Sequence, residues 1–275
     1  MTRVSDRIEK AMTKNRWPLI EIDGLSLHVS PLLADEPRLK HAFTTRLGGG
    51  SAEPLNWFNL GRHIDDPGAR QDAMTNREKL CAALNLDFGR MVVPGQVHSA
   101  RVVSTHAREF AQVDSVATGE SGVPILLHFA DCVPIILFDP YTPALAVVHA
   151  GWRGTAQSIV RAAVEFLQEN HGVQPGNILA AIGPAIGSCC YPTGDDAARQ
   201  LAATVSQGEQ LIKWLEQPRP DLKGLNAMQL LESGVSRIDV TDLCTACQPE
   251  LFYSHRFSAG KTGRQGAIAS INYIS

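Results

Sequence analysis

The sequence predicts an α+β fold, and three observations carry that expectation. Two short apolar runs, Val133–Phe138 and Leu145–Val148, flank the turn Asp139-Pro140-Tyr141-Thr142-Pro143 and read as adjacent buried strands. Ile159, Ala163, Phe166 and Leu167 recur at helical spacing, marking one strongly amphipathic helix. Strands and helices are otherwise mixed without strict βαβ alternation, which argues against a doubly wound parallel sheet. Nothing in the 275 residues reads as a linker, a repeat or a low-complexity tract. One domain covering residues 1–275 is expected, with 1–20 peripheral.

The elements follow in order. Residues 5–16 read as a short polar helix, and Leu19–Val29 as a strand or hairpin around Asp23-Gly24. His41–Arg46 is strand-like and runs into the loop Leu47–Ser51. Asp65-Asp66-Pro67 opens a helix to about Asn85, because an Asp cap with Pro in the first turn is a start signal. Its inner face carries Ala73, Leu80 and Leu84. Met91–Val103 has strand character around Gln96-Val97-His98. A helix is expected over Thr155–Asn170, capped by Thr155 and closed by His171-Gly172. Asn177–Ile182 reads as a strand, Asp195–Ser206, Glu209–Leu215 and Leu225–Glu232 as helices, and Ile238–Val240 and Gly266–Ile274 as strands.

Bulk properties narrow the function. A formal net charge of −3 advertises no nucleic-acid or anionic-membrane partner. The polar N-terminal stretch lacks the apolar core of a signal peptide, and no window is long enough to span a membrane, so a cytoplasmic protein is expected. Six cysteines in such a chain do not suggest a disulfide framework. Each is a buried small hydrophobe, a ligand or a nucleophile.

Chemistry concentrates where strands end. His98 in GQVHS, Cys132 in FADCVPI and His149 in VVHAGWRG supply two imidazoles and a thiolate, three ligands that would leave a fourth position open on a catalytic Zn²⁺. The competing reading is two hydrogen-bonded histidines and one packed thiol. Asp131 is expected to point away from its neighbour Cys132, holding loops or orienting a histidine from behind. Arg153, with the amides of Gly154 and Thr155 at a helix start, is a phosphate candidate or else a surface arginine. Arg46, ahead of Gly48–Gly50, is a second anion candidate. Arg256 and Arg264 bracket a Gly-containing loop and either reach an anionic substrate or make surface ion pairs. Cys244-Thr-Ala-Cys247 has ligand spacing but lacks a second CxxC, and Cys189-Cys190 is not its usual companion. All four are expected to be structural.

The pieces HAFTTRLGGGS, NLGRHIDDP, GQVH, ADCVPIILFD, HAGWRGT, GPAIGSCCY, DLCT and FYSHRF with TGR together resemble the laccase-domain family, from about His41 to the C-terminus. That family is also described as multicopper polyphenol oxidoreductase, as peptidoglycan editing factor and as a type of purine nucleoside phosphorylase. The resemblance implies layered mixed sheets flanked by helices, grouped with cysteine-hydrolase-like proteins. It implies a zinc site at His98, Cys132 and His149, with copper as the older assignment. It further implies phosphorolysis of adenosine, inosine and methylthioadenosine, together with adenosine deamination, so that purine nucleosides and phosphate are the expected partners. Copper-dependent polyphenol oxidation is the alternative activity. Against it, the nine histidines include no His-X-His pair. A third class is a metal-free hydrolase with Cys132 as nucleophile and a peptidoglycan-precursor editing role. Two residues depart from the family pattern: Ser99 replaces the usual Gly after QVH, and Phe129 the usual Thr before ADC. Both bear on the shape of the pocket.

Overall fold

A computed structural model describes residues 12–272. In chain order the strands are β1 (Met12–Asn15), β2 (Leu19–Ile22), β3 (Leu25–His28), β4 (Leu39–Thr44), β5 (Val102–Ser104), β6 (Ser115–Thr118), β7 (Ile125–Phe129), β8 (Val133–Asp139), β9 (Ala144–Ala150), β10 (Leu179–Ile182), β11 (Ile212–Lys213), β12 (Arg219–Pro220), β13 (Arg237–Thr241) and β14 (Gln265–Ile271). The α-helices are α1 (Pro31–Ala34), α2 (Pro67–Ala83), α3 (Trp152–Ala156), α4 (Ile159–His171), α5 (Asp195–Ala202) and α6 (Leu222–Glu232).

The two strands with the most continuous apolar sequence sit at the centre. β8 and β9 pair antiparallel, from Val133 against Ala150 to Asp139 against Ala144, and every residue of both is buried. They belong to a seven-stranded mixed sheet of order β1-β13-β10-β8-β9-β6-β5. A five-stranded antiparallel sheet of order β2-β3-β4-β14-β7 packs against it. Alternation along a strand explains the unbroken hydrophobic runs, because each face meets a different layer. Val133, Ile135, Leu137, Ala146 and Val148 face α4, α5 and α6, while Ile136, Phe138, Leu145 and Val147 face Phe43, Leu127, Phe129 and Ala267 of the other sheet. The outer face of that second sheet is covered by Leu80 and Cys81 of α2. The result is an α+β arrangement of four layers: helices, mixed sheet, antiparallel sheet, helix.

Local signals account for most boundaries. Asp23 (φ 48) and Gly24 (φ 72) make the two-residue turn between β2 and β3, a left-handed pair that suits the hairpin twist. Asp66 caps α2 by accepting from the Ala69 amide at 2.7 Å, and Asp221 caps α6 through the Gly224 amide at 3.0 Å. Gly172 ends α4 in the left-handed conformation.

Several expectations need correction. Residues 12–15 form a strand, pairing in parallel with β13, rather than the end of a helix; residues 5–11 of that expected helix lie outside the described residues. Nor is the segment before residue 20 wholly peripheral. Trp17 is buried, and its indole donates to the equally buried Asp239 at 2.9 Å. Residues 96–98 are a loop. The helix expected from Thr155 is two helices broken at Ser158, whose φ of 58 interrupts the ladder, and Thr155 lies inside α3 rather than at a cap. Glu209–Leu215 gives a 3₁₀ turn, Gly208–Leu211, followed by the short strand β11. The last strand ends at Ile271, so the expectation for 272–274 is not met at Asn272 and lies outside the described residues beyond it. No helix among the described residues is long and apolar enough to cross a membrane.

Candidate active site

His98, Cys132 and His149 come from three separate segments and meet where the sheets part company. Cys132 ends the turn Ala130-Asp131-Cys132, which carries the chain from β7 in one sheet to β8 in the other. His149 is the penultimate residue of β9, opposite Pro134 of β8. His98 lies in the loop before β5. One ligand atom from each falls within 4.8 Å of the others, and the Cys132 Sγ to His98 Nε2 distance is 3.7 Å. In a tetrahedral site with metal–sulfur and metal–nitrogen bonds of usual length, that separation is about 3.6 Å. The donor set and spacing therefore fit a candidate metal-binding group. Gly151 lies directly beneath it. A Cβ there would stand 2.8 Å from His98 Cδ2 and 3.0 Å from Cys132 Sγ, so only glycine leaves the ligand positions undisturbed.

The residue that organises this cluster is Asp114, which the sequence reading missed. Its carboxylate is fully buried and lies 2.9 Å from His149 Nδ1. It also accepts the amides of Val97, His98 and Ser99 at 3.2, 3.0 and 2.7 Å and the Ser99 hydroxyl at 2.8 Å. Burial alone would raise its pKa, but the bonds from His149 and Ser99 hold it down at about 2. An ionised carboxylate can only accept, so His149 Nδ1 carries the proton and its Nε2 is left for the cluster. The same carboxylate pins His98 at φ 65, a left-handed conformation that costs a non-glycine residue of order 1–3 kcal/mol.

Asp131 does the equivalent for the thiol loop. Also left-handed, at φ 90, it accepts from Thr245 Oγ1 and the Arg256 amide, both at 2.7 Å, while its carbonyl receives the Ile186 amide at 2.9 Å. It holds loops, as expected; orienting a histidine falls to Asp114. Gln96 clamps the third segment, exchanging two bonds of 2.8 Å with the His128 backbone.

Electrostatically, the thiol and the imidazole are a pair. Burial would push Cys132 up and His149 down, but their mutual attraction reverses both: the thiol falls to about 6, and His149, helped by Asp114, rises to about 9. Without a metal the two favour a thiolate facing an imidazolium.

The cluster opens into a cavity of about 1210 Å³ whose lining includes Arg62, Arg70, Arg77, Arg153, Arg256 and Arg264 against a single carboxylate, Asp131. The chain's overall charge is negative, yet its cavity is cationic. Arg77 is buried on α2, donates to the Leu60 carbonyl at 2.9 Å, and faces His128 Nε2 at 3.1 Å. Burial, followed by the charges of Arg77 and Arg264, keeps His128 neutral, well below the usual histidine value. Arg62, Arg77, His63 and His128 were not singled out from the sequence, because only tertiary packing turns α2 and β7 toward one space.

Of the predicted anion ligands, Arg153, Arg256 and Arg264 line the cavity. Arg153 lies over Trp152 at 4.4 Å, and Arg256 over Tyr191 at 5.0 Å while donating to the Pro192 carbonyl. Arg264 donates to the carbonyls of Thr262 and Gly263. Arg46 does not line it. Its guanidinium donates to the Asn56 carbonyl at 2.9 and 3.0 Å and to Pro249 at 2.8 Å, and it packs over Tyr253. The expected amide cradle beside Arg153 is also corrected, since the Thr155 amide donates to the Gly151 carbonyl at 2.8 Å. Ser99 and Phe129 lie outside the cavity lining too. Ser99 braces Asp114, and Phe129 stacks tilted against His149 at 5.2 Å, so the two departures act behind the site rather than on its shape.

Residues 40–272 match the family described as multi-copper polyphenol oxidoreductase laccase. The chain belongs to that family. It is 38% identical over 239 residues to the purine nucleoside phosphorylase YlmD of Bacillus subtilis, covering 81% of this chain and 84% of the relative. It is also 38% identical over 251 residues to a purine nucleoside phosphorylase of Deinococcus radiodurans, covering 90% and 94%. The crystal structure of YlmD from Geobacillus stearothermophilus superposes with a TM-score of 0.84 at 35% identity, over 94% of this chain and 99% of that one. The same fold recurs in the YfiH protein of Bacillus licheniformis, with a TM-score of 0.84 at 30% identity over 90% and 97%.

Proposed function

We propose that this chain is a zinc-dependent purine nucleoside phosphorylase of the cytoplasm, acting on adenosine, inosine and methylthioadenosine, with adenosine deamination as a second activity of the same site. The observation that carries the reading is the cavity, whose lining brings the three-donor cluster together with six arginines, of which Arg70 is ion-paired to Asp65, and one carboxylate, Asp131. A dianionic co-substrate is stabilised in such a field, and relatives of high coverage carry the phosphorylase name.

His98, Cys132 and His149 would hold the zinc, which supplies Lewis-acid chemistry. Around it the chain's own groups divide the work. Arg153, Arg256 and Arg264 are the phosphate ligands in this reading, orienting one phosphate oxygen toward the ribose C1′ and neutralising charge as the bond from C1′ to the base nitrogen breaks. Neutral His128, tied to Arg77, and the apolar side chains of Met74, Phe88, Met91 and Val93 offer the less charged part of the lining to the purine and sugar. Asp114 fixes the tautomer of His149, and Asp131 the turn that presents Cys132.

A second reading has one observation in its favour. Cys132 Sγ lies within 4.8 Å of a ring nitrogen of both His98 and His149, and the attraction between Cys132 and His149 lowers the thiol, which suits a cysteine nucleophile with its base. Copper-dependent polyphenol oxidation fits less well. The only other group of metal-ligating side chains among the described residues is built from thiols alone, where a multi-copper centre wants histidines.

The test is incubation of metal-replete enzyme with adenosine, with and without phosphate, followed by product identification. Phosphorolysis gives adenine and ribose 1-phosphate only when phosphate is present, whereas deamination releases ammonia in either condition, leaving inosine without phosphate and, by its further phosphorolysis, hypoxanthine with it. Full turnover after zinc removal, abolished by Cys132→Ala, would establish the nucleophile reading instead.

A further inference from the structure

The four cysteines expected to be merely structural are gathered at one point. Cys189 and Cys190 lie in the loop after β10, and Cys244 and Cys247 in the loop after β13, the strand that runs parallel beside it. All four Sγ atoms lie within 4.8 Å of one another. Cys247 Sγ is 3.5 Å from that of Cys189 and 3.3 Å from that of Cys190, and Cys189 is 3.6 Å from Cys244. Around a zinc ion with four ordinary Zn–S bonds the sulfur–sulfur edge is about 3.8 Å. We propose that Cys189, Cys190, Cys244 and Cys247 form a second metal site, a closed tetrathiolate that binds Zn²⁺.

The surroundings suit that charge. Four thiolates and one Zn²⁺ carry two net negative charges. The buried ammonium of Lys223 donates to the carbonyls of Thr241 and Leu243 at 2.6 and 3.0 Å, immediately before Cys244, and is ion-paired to no carboxylate among the described residues. The Arg219 guanidinium donates to the carbonyl of Cys189 itself. The Gly187 amide points at Cys244 Sγ from 3.2 Å, the kind of N–H···S bond that orients a metal-bound sulfur. A Cβ on Gly187 would crowd the Cys189 sulfur at 3.1 Å. All four positions are filled by protein sulfur, so the site is structural rather than catalytic.

Its place in the fold gives it a task. The bridged loops also build one wall of the cavity: Ile186 and Tyr191 line it from the first loop, and Thr245 of the second holds Asp131 behind Cys132. Neither loop has regular structure to fix it, apart from the single bridge between Ala185 and Cys244. A metal here would lock that wall in place. The proposal does not depend on the function assigned to the first site.

Its test separates the two sites. The full chain with Cys132→Ala, reduced, loaded with Zn²⁺ and gel-filtered, is expected to retain one zinc per chain. Its cobalt(II) form is expected to show intense sulfur-to-cobalt charge-transfer absorption. Adding Cys247→Ser should remove both signals. As a check that needs no variant of these residues, the wild-type chain is alkylated with iodoacetamide with and without Zn²⁺ and mapped by mass spectrometry. Zinc should slow modification of the exposed Cys189 and Cys247 at least about tenfold, the discrimination of 1.4 kcal/mol in reactive thiolate. Absence of zinc from the Cys132→Ala chain, equal alkylation rates in both conditions, or a Cys189–Cys247 disulfide surviving in the reduced protein would overturn the proposal.

Discussion

Asp114→Asn is the most informative single substitution, because it keeps shape while removing what the carboxylate does. One oxygen accepts the Val97 and Ser99 amides and the Ser99 hydroxyl, and the other meets the His98 amide and His149 Nδ1. An asparagine can keep the three-bond side with its carbonyl. Its NH₂ then faces the His98 amide, donor against donor, leaving that group unsatisfied at about 1–3 kcal/mol. Toward His149 the NH₂ donates, so Nδ1 must become the acceptor and the proton moves to Nε2, the nitrogen that should carry a free lone pair. Loss of a carboxylate behind a histidine ligand typically lowers metal affinity about 10–100-fold, or roughly 1.4–2.7 kcal/mol. The unsatisfied His98 amide should lower metal-free stability by about 1–3 kcal/mol. The assays are zinc competition against a chromophoric chelator and urea unfolding of metal-free protein at pH 7. Zinc affinity within about twofold of wild type would refute the tautomer argument, and an unchanged unfolding midpoint would refute the claim that Asp114 holds the loop.

Two further substitutions probe groups away from the cluster. His41 on β4 is buried and neutral, accepting the Ser30 amide at 3.0 Å, and burial holds its pKa at about 4. A folded pKa below the unfolded value of about 6.5 gives stability that is full above 6.5 and lost as pH falls through 4. The window is worth about 3 kcal/mol; His41→Gln should flatten the stability profile between those values in urea titrations, and an unaltered slope would count against it. Arg46→Met should destabilise by about 2–3 kcal/mol by freeing two carbonyls, with the phosphate KM unchanged. A tenfold rise in that KM at unchanged stability would restore Arg46 as a ligand.

Much of this was legible in the sequence. Strand periodicity, the proline-rich turn at 139–143 and the Asp66 cap give the central hairpin and α2 close to their observed limits, because those signals are local, whereas α6 starts at Leu222, three residues before its expected start, behind the Asp221 cap. His98, Cys132 and His149 could be singled out because a reactive residue at the end of an apolar run stands out against its neighbours. The helix from Thr155 was misplaced for the complementary reason. The apolar stripe begins at Ile159, after the break, and a left-handed Ser158 leaves no mark in it, so nothing in the spacing separates α4 from the shorter helix that holds Thr155.

What only the tertiary structure decided is which residues share a space. Asp114 looks like any loop acid in QVDSV, 16 residues from His98 and 35 from His149. It becomes the centre of the site because β6 pairs with β9, Ser115 against Val148, and brings it beside His149. Arg46 and Arg153 look equally suited to an anion, yet backbone carbonyls capture one and the cavity keeps the other. Cys189-Cys190 and Cys244-Thr-Ala-Cys247 have incomplete spacing when each is taken alone, and they converge because β10 and β13 are parallel neighbours whose loops leave the same edge. Side-chain identity and local pattern are written residue by residue, whereas encounters between distant segments are set by sheet order and register, which no short stretch of sequence encodes.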